Sequence, residues 1–447
     1  MTLAIKKGFT MKNVVIKGNK SGFFLVLLVL FCRLLTSCDS ARENDDNSLL
    51  YWSANDAQEV EFGRQVISAW NREHPEEQIK LQPVPEGQSS EEIILAAVVG
   101  KTTPDIYANM WQGDVEFFAQ AKVLVPFDTL DGFLEFIYQR CDSALIKEIT
   151  SSNGHIYQIP WKINPIMMIY NKQVVEKIGG VPRTYSEYFE ACKKYQKDND
   201  GDGYVDQWFG YTNVQPIWHE LRFNFYLLYL AASDGASLVK NNQAVFNNKH
   251  ALEVFRFFEE LYAKNYFTQD RLYSGQDPFI SGKIATKFTG PWEIAHLEKF
   301  KPEGFDYAYA PVPVPDDHQG PVYTYGDPKN IVIFNTCKNP LLAWRFLKFL
   351  ISDENDLLFL KLSSQIPPRK DLTVNPLFVE VFTQNEKLAP FANQARYIKG
   401  VDNNEVIKEV FDIITQEYQS SVIYGVKSPE EALRDAAKAV DVLLLNM

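Results

Sequence analysis

Cysteine is scarce in this chain, with five among 447 residues. Cys32 and Cys38 lie near the N-terminus, and Cys141, Cys192 and Cys337 are widely spaced, with no C-x-x-C anywhere. That spacing excludes a disulfide framework and a zinc-ribbon site, and predicts buried thiols. The six histidines, His74, His155, His219, His250, His296 and His318, are scattered, and no H-E-x-x-H, G-x-S-x-G or P-loop occurs. Those absences argue against a zinc hydrolase, a serine hydrolase and a nucleotide hydrolase, each of which needs its groups at fixed spacing. Paired carboxylates of a glycosidase type need only meet across a cleft, so sequence does not exclude them. Positive charge is in deficit, with 45 Lys and Arg against 57 Asp and Glu and a net charge of −12. A diffuse acidic balance disfavours nucleic acid and polyanionic ligands. No apolar run reaches the roughly 20 residues that span a bilayer. No internal repeat or low-complexity tract appears.

What the chain does have begins at its N-terminus. Lys6, Lys7, Lys12, Lys17 and Lys20 precede an apolar run from Phe23 to Phe31, and Leu35-Thr36-Ser37-Cys38 follows. A positive start, a short apolar stretch and small residues before a cut site describe a secretory signal peptide. The last four residues resemble a bacterial lipobox, so residues 1–37 are expected to be removed and Cys38 to become the lipid-bearing first residue. Polar, acidic residues 38–47 then form a tether. The body that follows is expected to be soluble, extracytoplasmic and monomeric. Its length favours two lobes. Aromatics make up 14% of the chain, enough to furnish a binding cleft as well as a core.

Strand and helix patterns alternate. Leu49-Leu50-Tyr51-Trp52 is a strand, and Phe62, Val66 and Trp70 mark one face of a helix over 58–74. Ile79 and Leu81 alternate in a second strand, Ser89-x-x-Glu92 opens a helix, and 104–108 is a third strand. This is the pattern of βαβ units in an α/β protein. Trp70 and Trp344 fall on apolar helix faces and belong to core. Asn339-Pro340 and Ser428-Pro429 each open a later helix, with proline in the first turn.

Five segments carry a resemblance. Thr103-Pro104-Asp105-Ile106 is followed by Leu124-Val125-Pro126-Phe127. Gly154-His155-Ile156-Tyr157-Gln158-Ile159-Pro160 is followed by Tyr170-Asn171-Lys172, and then by Pro182-Arg183-Thr184-Tyr185-Ser186-Glu187. Phe279-Ile280-Ser281-Gly282-Lys283 leads to Gly290-Pro291-Trp292, and Asn339-Pro340 leads to Ala343-Trp344-Arg345-Phe346-Leu347. In this order they resemble family 1 of the bacterial extracellular solute-binding proteins, the sugar-binding components of ABC importers. The resemblance implies a two-lobed venus-flytrap fold of type II with discontinuous lobes: 48–160 plus 324–368, and 161–323 plus 369–447. It implies capture of a sugar or oligosaccharide between the lobes, delivery to permease subunits and no enzymatic step. A carbohydrate-active enzyme or a ligand sensor using the same cleft is the alternative.

Sugar sites combine aromatic faces with polar side chains. By that resemblance the candidates are Trp52, Asn55 and Asp56 after the first strand, and Asn109 and Trp111 after the third. Trp161 and Asn164 stand at a crossing, Trp218 in a loop, Trp292 in the G-x-W motif, and Tyr325 and Gly326 on the return to the first lobe. For each tryptophan, core packing is the competing reading, and Asp56 would serve equally as a helix cap. Separately, Asp198-Asn199-Asp200-Gly201-Asp202-Gly203-Tyr204-Val205-Asp206 matches the start of an EF-hand-type loop. Asp198, Asp200, Asp202 and Asp206 would offer carboxylate oxygens and Tyr204 its carbonyl to a structural Ca²⁺. The twelfth position is Phe209 where such loops carry a glutamate. A solvated acidic turn is the other reading.

Overall fold

The computed structural model describes residues 48–85, 89–272 and 276–446. The signal peptide, Cys38 and the tether lie outside the described residues. Strand β1 (Leu49–Ser53) leads into helix α1 (Ala57–Glu73), β2 (Ile79–Pro83), α2 (Ser90–Gly100), β3 (Ile106–Trp111) and α3 (Gln112–Gln120). The helices start where the sequence provides acceptors for their first N–H groups. Asp56 accepts from Gln58 and Glu59, and Ser89 from Glu92. Parallel β2, β1 and β3 continue into β11 (Lys329–Ile333) and the edge strand β4 (Ile159–Lys162), with β11 antiparallel to both neighbours. One face of this sheet packs on Phe62, Trp70, Trp161 and Trp344, and the other on Ile94, Phe118 and Val332. Trp344, on α7 (Pro340–Leu350), sits among Phe127, Phe133 and Phe136 as core.

A second sheet is antiparallel, with β5 (Met167–Asn171) between β8 (Thr286–Thr289) and β9 (Tyr307–Ala310), and a short hairpin, β6 (Val239–Lys240) with β7 (Gln243–Ala244), precedes β8 in the chain. Around it lie the helices α4 (Tyr185–Tyr195), α5 (Phe225–Ala232), α6 (Lys249–Ala263), α8 (Ile407–Tyr418) and α9 (Pro429–Leu445). The capping boxes Thr184/Glu187 and Ser428/Glu431 close the N-termini of α4 and α9.

The chain passes between the sheets three times, and these passages are bonded to one another. Ile163 N–H donates to Ile366 O, Asn164 N–H to Gly326 O, and Ile166 N–H to Tyr325 O. Strand β10 (Thr324–Tyr325) pairs with β12 (Ile398–Lys399) beside them. Two expectations shift in detail. The third strand begins at Ile106 and runs on to Trp111. Residues 207–212 follow the acidic loop with the apolar, β-prone run Trp208-Phe209-Gly210-Tyr211, which predicts a strand, but they form only isolated bridges, such as Trp208 with Ile284. The Phe209 carbonyl spends its acceptor capacity on Thr286 N–H and Ala285 N–H, so no regular ladder propagates. The three cysteines of the body are free and buried.

Candidate ligand-binding site

In an open α/β sheet, ligands gather beyond the carboxyl ends of the strands. Here that edge is set by Ser53, Trp111 and Lys162, with Lys329, the first residue of β11, opposite both Trp111 and Lys162. Trp111 is buried and donates its Nε1–H to the Tyr325 hydroxyl at 3.0 Å. Its ring centroid lies 5.0 Å from that of Trp218, at 47°. Trp218 opens a 3₁₀ helix, Trp218–Phe223, and so comes from the side of the second sheet.

Two cations cover this aromatic pair. The Arg222 guanidinium stands 4.9 Å from the Trp111 ring and 5.0 Å from the Trp218 ring. Lys408 Nζ lies 5.5 Å from Trp218 and pairs with Asp114 at 2.5 Å. A planar, weakly hydrated guanidinium suits such a sandwich. Asp327 lies 4.0 Å from Arg222 and 3.9 Å from Lys329, and it accepts the Tyr325 hydroxyl at 3.1 Å. Its φ of +34° is a strained value for a side-chain-bearing residue, held by this set of partners. Lys329 reaches Glu91, at the start of α2, at 3.5 Å. Burial opposes the charge on Glu91, but Lys329, Arg222 and Lys408 outweigh it and bring the carboxyl down to about 2. The cluster thus sets three cations against three carboxylates around two indole faces.

The structure brings together Trp111, Trp218 and Tyr325 from among the sequence candidates. It places others elsewhere. Trp161 is as deeply buried as Trp111, but its ring lies 4.6 Å from Phe359 and 6.3 Å from Phe62, among the core of the first sheet and away from the indole pair. Trp52 is likewise buried, among Val84, Ile94 and Tyr107. Alternation along a strand turned both indoles into the packed faces of the sheet. Asp56 is a helix cap, and Asn55 is exposed beside it. Asn164 is buried at the first passage and donates to Gln365 at 3.0 Å. Asn109 is partly buried, next to Tyr107. Trp292 folds its partly buried ring over Gly290, where an added Cβ would come within 2.1 Å of it. Arg222, Lys408, Lys329, Glu91, Asp114 and Asp327 were not singled out as ligand residues, because no local pattern marks them.

A cavity of about 930 Å³ lies against the passages and is lined by Gln112, Glu148, Tyr226, Gly326, Lys399 and Arg396, among others. Of the sequence candidates only Gly326 faces it. Tyr325 stands between the two features. Tyr226, a wall of the cavity, packs on its ring, while its hydroxyl meets Trp111 and Arg222. Volume favours the cavity, but the indole faces and the strand-end position favour the cluster, and recognition chemistry decides in its favour.

Comparison with known proteins fits this architecture. The bacterial extracellular solute-binding protein family matches residues 65–390. The chain belongs to that family. A maltotriose-binding protein of Pyrococcus abyssi is 25% identical over 352 residues, which cover 77% of this chain and 69% of that protein. An arabinooligosaccharide-binding protein of Bacillus subtilis is 27% identical over 186 residues, 39% of this chain and 41% of its own length. The crystal structure of an uncharacterised Listeria monocytogenes protein superposes with a TM-score of 0.75 at 27% identity, covering 89% of this chain and 100% of its own.

One further element of this solute-binding protein has ligand-type chemistry. In the acidic loop, carboxylate oxygens of Asp198, Asp200 and Asp206 lie within 4.8 Å of one another. Asp202 is outside this set and turns its Oδ1 to the Tyr204 N–H at 2.8 Å. The Gly203 and Gly201 N–H groups donate to Asp198 and hold its carboxyl below the usual carboxylate range. The Tyr204 side chain is exposed.

Proposed function

We propose that this solute-binding protein captures a sugar or oligosaccharide outside the cytoplasm, against the Trp111–Trp218 pair, and presents it to the permease of an ABC importer. The observation that carries the reading is that indole pair at the strand ends, ringed by Arg222, Asp327, Lys329 and Glu91. Flat apolar faces suit the C–H surfaces of a sugar, and the ring of donors and acceptors suits its hydroxyls. In this conformation Arg222 and Lys408 cover the faces, so ligand entry requires those side chains or the lobes to move apart. Relatives named for maltotriose and for arabino-oligosaccharides support the sugar class. A binder, unlike an enzyme, gains stability from its ligand without turnover. A thermal-shift panel of maltotriose, arabinotriose and unrelated metabolites tests this. Ligand at a hundred times its Kd stabilises the native state by about 2.7 kcal/mol. A sugar should raise Tm and be recovered intact, and a panel in which no sugar raises Tm, or in which a sugar is cleaved, rejects the reading. Cys38 is the proposed lipid anchor: Cys38→Ala should shed the protein from the membrane fraction, and unchanged retention would speak against it. The acidic loop is the proposed Ca²⁺ clip.

A further inference from the structure

The two sides of the molecule meet at the indole pair and again beyond it. Trp111 ends β3 of the first sheet, and Trp218 opens the 3₁₀ helix on the side of the second. Their ring centroids are 5.0 Å apart. A sugar ring stacked between two indoles needs a van der Waals contact on each face, or about 7–8 Å between the rings. At the observed spacing no sugar ring fits between them. The Arg222 guanidinium closes the remaining approach. It is buried, stands 4.9 and 5.0 Å from the two rings, and is held by the His219 carbonyl at 3.2 Å, the Tyr325 hydroxyl at 3.4 Å and Asp327 at 4.0 Å. The second meeting place is the run from Gly400 to Lys408, which follows β12. Three of its groups reach the start of α3 and the helix Ser143–Ile149 with its C-cap Thr150. Gly400 N–H donates to Glu148 Oε1 at 2.9 Å, Asn403 Nδ2–H donates to the Thr150 carbonyl at 2.9 Å, and Lys408 pairs with buried Asp114 at 2.5 Å. The approach is close: a Cβ added at Gly400 would come within 1.8 Å of Gln112 Oε1 and 2.5 Å of Glu148 Oε1. The chain's own groups thus hold the two sides together at a spacing that shuts a sugar out.

We propose that these contacts form an autoinhibitory clasp: Arg222 and the 400–408 run hold the two sides in a closed state that excludes sugar, and binding proceeds from the fraction of molecules in which the clasp is open. The proposal rests on the sugar reading above and adds regulation to it. A site that is open only part of the time has its apparent affinity reduced by the open fraction. Loosening the clasp therefore raises affinity, the opposite of what losing a ligand contact does. Glu148→Ala removes the acceptor of the Gly400 N–H, and Gly400→Ala drives a methyl group against Gln112 and Glu148. Both changes lie outside the indole cluster. In titrations of the full-length protein with maltotriose, each variant should bind about fivefold more tightly than the parent, as expected if the open fraction rises from about a tenth to about a half. Small-angle scattering without sugar should show a compact parent and more expanded variants, and maltotriose should contract the variants. If neither folded variant binds more tightly, or if the parent is already as expanded as they are, the clasp is overturned. If maltotriose binds to none of the three proteins, the sugar reading falls, while the scattering comparison still decides the clasp.

Discussion

The tryptophans separate the two roles an indole can play. Trp161 has Phe359 on one side and Phe62 near it, and Trp218, partly buried, meets the Trp111 and His219 rings and two cations. Truncating a fully buried aromatic costs about 3–5 kcal/mol because the lost contacts leave a cavity. Trp161→Ala should therefore lower Tm strongly and leave the affinity of the folded fraction near normal. Trp218→Ala should do the reverse, weakening sugar binding by about tenfold, or about 1.4 kcal/mol, with a small change in Tm. Titration and thermal melts on the same two proteins decide. If Trp218→Ala melts like Trp161→Ala and binds normally, the indole pair is core and the site lies elsewhere. The sequence offered both residues as candidates, Trp161 at a crossing and Trp218 in a loop, and only their tertiary surroundings distinguish them.

At the scale of an element, the acidic loop between α4 and residue 207 is legible from sequence and undecided by packing. Carboxylate oxygens of Asp198, Asp200 and Asp206 converge, and the mutual repulsion of three carboxylates is relieved by glycine N–H groups at one of them. A Ca²⁺ ion would relieve it further and bridge the end of α4 to the segment that pairs with residue 284. Calcium should raise Tm in the parent protein and not in the Asp200→Ala, Asp206→Ala double variant. Identical melts in calcium and in chelator would leave the loop as an acidic turn. The caps tell the complementary story. Thr184/Glu187 and Ser428/Glu431 were readable because a cap is satisfied within four residues of chain. Residues 207–212 were not, because their bonding depends on residues 283–286, which the local pattern does not contain.

For the whole molecule, the cluster around the indole pair joins segments more than 300 residues apart, from Glu91 through Arg222 and Lys329 to Lys408. It also gives the protein a pH signature. The Glu91 carboxyl is held at about 2 in the folded state, against roughly 4.3 in an unfolded chain. A depressed carboxylate stabilises the fold above its unfolded pKa and loses that contribution as pH falls towards its folded one. Glu91→Gln should thus cost roughly 3 kcal/mol at pH 7, and the gap between parent and variant should narrow from about pH 4.5 downwards. Urea unfolding of both proteins between pH 7 and pH 3 measures it, and a gap that stays constant with pH would refute the electrostatic origin. The sequence by itself determined the α/β alternation, the helix starts, the family resemblance and the existence of candidate aromatics. Those features depend on periodicity, caps and short motifs, which are local along the chain. The tertiary structure alone decided which indoles face one another, that Arg222 and Lys408 cover them, and that Asp327 is strained between Arg222 and Lys329. Such facts follow from how three passages of chain bring distant strand ends and helix starts to one place, and no local pattern encodes that meeting.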